Sequence, residues 1–152
     1  MWRSLLFIII FCGTAWAFWQ NSQSHVHRLA GVQNVWDDPP RLSEKERDAL
    51  QEMIGQFKAR YNIDVRMEIL DVPLHAPAGK YPLIYIGINP QSNDFLLSYP
   101  GWLRLEEDFA AKVNAAHVQP QLLNGQYAYA LADALRAVWD ALQAETAGPG
   151  RE

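Results

Sequence analysis

Apolar residues change their spacing several times along the chain, and each change marks an element. Leu50, Met53, Ile54, Phe57 and Tyr61 recur at helical intervals, which puts them on one face of a helix that must pack on something. Ser43 and Glu46, just ahead of this run, have the form of a capping box in which each side chain satisfies an amide of the first turn, so the helix is expected from Ser43 through Tyr61. From Ile63 the period becomes two: Ile63, Val65, Met67 and Ile69 alternate with Asp64, Arg66 and Glu68, the pattern of a half-buried strand. Leu83 to Ile88 is more continuously apolar, as in a central strand. Asn89 to Asp94 is turn chemistry, and Phe95 to Tyr99 can return as an antiparallel partner.

The two ends of this region are read from weaker signals. Val32 to Trp36 alternates and predicts a short first strand. Asp37-Asp38-Pro39-Pro40 follows as a rigid turn, because prolines have no N–H to donate to a ladder. Beyond the sheet, Leu105, Phe109 and Val113 line one helix, Pro120 interrupts, and Tyr127, Leu131, Leu135, Val138 and Leu142 line another. The resulting order, β-α-β-β-β-α-α, has too few strands for a barrel and calls for an α/β fold, a small mixed sheet of about four strands sandwiched by helices. The pattern fades after Leu142, which sets the domain at residues 31–143 and a disordered tail at 144–152.

The first residues follow a different rule. One positive charge at Arg3, an apolar run from Leu5 to Phe11 and the small-residue site Ala15-Trp16-Ala17 have the anatomy of a secretory signal or an N-terminal membrane anchor over residues 1–17. A flexible tether is expected over residues 18–30. Either form places the domain outside the cytoplasm, periplasmic or otherwise extracytoplasmic. The single cysteine, Cys12, lies in the apolar segment, so a processed chain has no thiol, no disulfide and no disulfide-linked partner. With a net charge of −4 and no cluster of lysines or arginines, nucleic acid is excluded as an expected partner.

Three stretches resemble the TPM domain family, small α/β/α domains found at membranes and sometimes described as phosphatases. They are Asp38-Pro39-Pro40-Arg41-Leu42-Ser43 with Glu46 and Leu50; the apolar strand Leu83-Ile84-Tyr85-Ile86 with its polar turn; and Pro120-Gln121-Leu122-Leu123-Asn124-Gly125-Gln126-Tyr127 with Ala130-Leu131 and Ala134-Leu135. The resemblance implies a TPM-like α/β/α sandwich and, through the family, a divalent-metal phosphatase. The segment Leu74 to Pro82 is shorter than the family's counterpart and lacks its Asp-Asn-Gly loop, and Ser98 to Trp102 replaces its glycine-rich turn.

Candidate chemistry is sparse. Asp37 and Asp38, with Asp94 in a turn that can share their sheet edge, are hard oxygen ligands suited to Ca²⁺ or Mg²⁺. The alternative assigns Asp38 to its own proline turn or to the start of the following helix, where a carboxylate is favoured. His25, His27, His75 and His117 are too scattered to imply a transition-metal site. No nucleophile sits in a recognisable elbow and no glycine-rich phosphate loop occurs, so no catalytic residue is assigned and no cofactor is required. Tyr99 and Trp102 flank an aromatic turn, and Trp139 lies beside the apolar stripe of the last helix; as exposed rings they would bind a partner. The expected function is therefore a non-enzymatic accessory or assembly module that binds another envelope or membrane protein, with a metal-dependent phosphatase as the alternative.

Overall fold

A computed structural model of the protein describes residues 34–77 and 82–147. The expected signal or anchor, the tether, Cys12, His25 and His27 lie outside the described residues.

The elements are β1 (Val35–Asp38), α1 (Glu44–Tyr61), β2 (Asp64–Leu70), β3 (Leu83–Asn89), β4 (Asp94–Ser98), α2 (Phe109–Val113), a π-helical turn (Asn114–Val118), α3 (Gln119–Leu123) and α4 (Tyr127–Ala147). The sheet order is β1-β2-β3-β4, with the first three strands parallel and β4 antiparallel to β3. This is the small mixed four-stranded α/β arrangement expected from the sequence.

α1 begins where the capping box places it. The Ser43 side chain accepts from Glu46 N–H, and the Glu46 carboxylate accepts from Ser43 N–H at 2.8 Å. The Ser43 hydroxyl, which also donates to that carboxylate at 2.6 Å, and then the Ser43 N–H hold the Glu46 carboxyl below its ordinary pKa. The helix stops at Asn62, whose left-handed backbone (φ 55°) turns its N–H back onto Lys58 C=O; asparagine tolerates that conformation better than most residues.

Alternation along the strands sorts the sheet into two faces. Val35, Val65, Met67, Ile69, Ile84, Ile86, Ile88 and Leu97 join Leu50, Ile54 and Phe57 of α1 and Leu131, Leu135 and Val138 of α4 in one buried cluster, which also takes in Val113, Val118 and Leu122. Phe57 is wholly buried, and its truncation to alanine belongs to a class that costs about 3–5 kcal/mol. The opposite face carries Trp36, Arg66, Glu68 and Tyr85.

Three local expectations are corrected. β1 runs two residues further than expected and includes Asp37 and Asp38; the ladder ends only at Pro39, the first residue unable to donate. Pro120 does not separate two helices. It sits at the start of α3, directly after the π-helical turn, whose wider spacing absorbs the break in register that a missing N–H and a bulky ring impose. The separation comes instead at Gly125 (φ 68°), ahead of α4, and α4 continues to Ala147, past the expected boundary at 144.

Candidate functional site

In an open sheet with parallel strands, the crevice beyond the strands' carboxyl ends is the usual place for a ligand. At that edge here lie the ends of β1, β2 and β3, the β3–β4 turn and the start of α1. Asp37 belongs to the core-facing row and its side chain is 0% exposed. Its Oδ2 accepts from Arg41 N–H at 2.8 Å and Leu42 N–H at 2.7 Å, and lies 3.5 Å from Arg47 Nη2. Oδ1 of Asp37 and Nε of Arg47 are buried without a hydrogen-bond partner among the described residues; a two-pronged contact between them is the geometry that would satisfy both. Asp37 thus folds the Pro39-Pro40 loop back onto the strand and delivers the chain to Ser43. Helix-start chemistry was expected of Asp38, but adjacent strand residues point to opposite faces, and it is Asp37 that points inward while Asp38 is exposed.

Arg41 extends the tie. Its Nη2 lies 2.7 Å from both carboxylate oxygens of Asp71 at the end of β2, and its guanidinium sits 6.0 Å from the centroid of the Tyr127 ring at the start of α4. The Asp71 hydrogen bonds raise the Arg41 pKa against the opposing effect of burial. On the next strand Asn89 donates to Val72 C=O at 3.0 Å and accepts from Gln91 and Ser92 N–H, and Ser92 donates to Asp94. Arg41, Arg47, Asp71 and Asn89 carry no motif. Their one sequence signal is that each lies at or just beyond a strand end or in the first turn of α1.

Asp37, Asp38 and Asp94 are not brought together. Asp37 and Asp94 lie on the two outer strands with β2 and β3 between them, a separation of about 14 Å at the usual strand spacing. Among the described residues no group of three or more His, Cys, Asp or Glu side chains is placed to hold a metal ion. His75 lies in the β2–β3 connection and His117 on the π-helical turn, both exposed.

The three aromatic candidates fall in two places. Leu103 N–H donates to Pro100 C=O at 3.0 Å and closes a turn that carries Trp102, 60% exposed. Tyr99, at its base, is half-buried and meets Phe109 edge-on at 6.3 Å. Trp139 stands on α4 against α1, half-buried, with its ring 5.6 Å from Phe57 and 5.3 Å from Tyr61.

Trp139 also borders a seam between α1 and α4. One cavity of about 360 Å³ is lined by Met53, Gln56, Leu135, Arg136, Trp139 and Asp140. A second of about 230 Å³ is lined by Lys45, Glu46, Ala49, Leu50, Met53, Ala128, Tyr129 and Ala132. Met53 is common to both, so the two lie next to each other along the seam. The early residues of α1 pair with the early residues of α4 and late with late, so the two helices run parallel.

On the sheet's other face the Tyr85 hydroxyl donates to Glu68 at 2.7 Å and Arg66 Nε donates to the same carboxylate at 2.6 Å. Burial, and then the Glu68 carboxylate, push the Tyr85 hydroxyl above its ordinary pKa. The ring crosses Gly87, where a Cβ would meet the Tyr85 hydroxyl at 2.8 Å.

No family model matches the chain, and no curated protein does. Among solved structures, it is similar to the N-terminal domain of a protein from P. gingivalis, with a TM-score of 0.62 and 12% identity over 81% of this chain and 90% of that one. It is also similar to the N-terminal domain of the cg2496 protein from Corynebacterium glutamicum, with a TM-score of 0.55 and 12% identity over 78% and 84% of the two chains. At that identity the likeness is one of fold.

Proposed function

We propose that this protein is a non-enzymatic, extracytoplasmic accessory module of the TPM type that binds another envelope or membrane protein through the Tyr99–Trp102 turn. The observation that carries the reading is Trp102, a large aromatic 60% exposed at the tip of a turn whose base is fixed by Tyr99 on Phe109 and by buried Leu103. A large aromatic presented to solvent on a closed turn is the kind of group that anchors interfaces. Two solved structures of similar fold are each the N-terminal domain of a protein, which supports a modular role. A phosphatase reading needs Asp37, Asp38 and Asp94 on one ion, and their separation across the sheet argues against it.

Affinity capture from the native host's envelope with wild type and Trp102→Ala, both verified as folded by circular dichroism, tests the proposal. A partner recovered by wild type and lost from the variant is expected. Equal recovery removes the turn as the binding surface. Calorimetry with Ca²⁺ and Mg²⁺ on wild type and Asp38→Asn, followed by a phosphomonoesterase assay, tests the other reading; metal heat and turnover that fall together in the variant would replace the binding module by an enzyme.

A further inference from the structure

We draw no further inference here: the strongest candidate, the sheet face turned away from the core cluster, where exposed Trp36 is the strand partner of Glu68 in the Arg66–Glu68–Tyr85 cluster, carries nothing because nothing among the described residues shows what covers it.

Discussion

Arg41 and Asp71 join the two loops that leave the ends of β1 and β2, with one guanidinium nitrogen 2.7 Å from both carboxylate oxygens. Both side chains are about one-fifth exposed, so the pair is screened less than a surface bridge but is not a buried one. A double-mutant cycle with Arg41→Ala and Asp71→Ala, followed by urea unfolding, should give a coupling of about 0.5–1 kcal/mol. A coupling indistinguishable from zero would mean that the contact holds nothing together.

Asp37 should matter far more than its neighbour. Asp37→Ala removes the acceptor for two loop amides and leaves Arg47 facing an apolar side chain, for an expected loss of about 2–3 kcal/mol. Asp38→Ala, at an exposed position, should stay within about 0.5 kcal/mol of wild type. Denaturation midpoints of the two variants, compared side by side, check the contrast.

The capping box gives a pH-dependent expectation. Since the folded state lowers the Glu46 pKa below its ordinary value of 4.5, Glu46 contributes stability that is fully present above that value and is lost as pH falls through the lowered one. Ser43→Ala should cost about 1 kcal/mol near neutral pH and should return the Glu46 carboxyl toward its ordinary titration. Carboxyl chemical shifts of wild type and variant over the acid range measure both. A Glu46 titration unmoved by the substitution would show that the box does not form.

Gly87 is expected to reject a methyl group. In Gly87→Ala the new Cβ comes within 3.0 Å of three Tyr85 ring and hydroxyl atoms, so the ring must shift and its hydrogen bond to Glu68 with it. Overpacking of this kind costs about 1–3 kcal/mol. Combining it with Tyr85→Ala should recover part of the loss, and non-recovery would locate the strain elsewhere.

Trp102 and Trp139 should separate in stability as they do in place. Trp102→Ala removes an exposed ring and should move the unfolding midpoint little, whereas Trp139→Ala opens the contact with Phe57 and Tyr61 and should cost about 2–4 kcal/mol. Thermal melts of the two variants decide the matter.

Local rules made the fold legible and left most of the site hidden. Ser43, Glu46 and the stripe from Leu50 to Tyr61 each act within a few residues of one another, so α1 could be read to its first residue. The same holds for the alternation that became β2 and the turn that became β3–β4. The Asp71 partner of Arg41 is thirty positions away and the Glu68 partner of Tyr85 seventeen, and no spacing rule reaches that far. The Asp37–Asp38 assignment failed for a smaller reason. Both were read as turn residues, where no alternation applies; as strand residues they point to opposite faces, and Asp37 shares the face of buried Val35. Pro120 misled because a π-helical turn can absorb what would end a regular helix.

Strands that are neighbours in this sheet are also neighbours along the chain. During synthesis each new strand therefore finds its hydrogen-bonding edge already made, and the sheet needs nothing that has yet to emerge. Its apolar face is different: α4, whose Leu131, Leu135 and Val138 help seal the core row of isoleucines on β3, is made after all four strands. A nascent chain stopped at Gln126 would hold all four strands and still present that row to water. The twenty-one residues of α4 therefore cover the sheet only after its strands are complete, and a chain stopped short of them exposes apolar surface of the kind that aggregates.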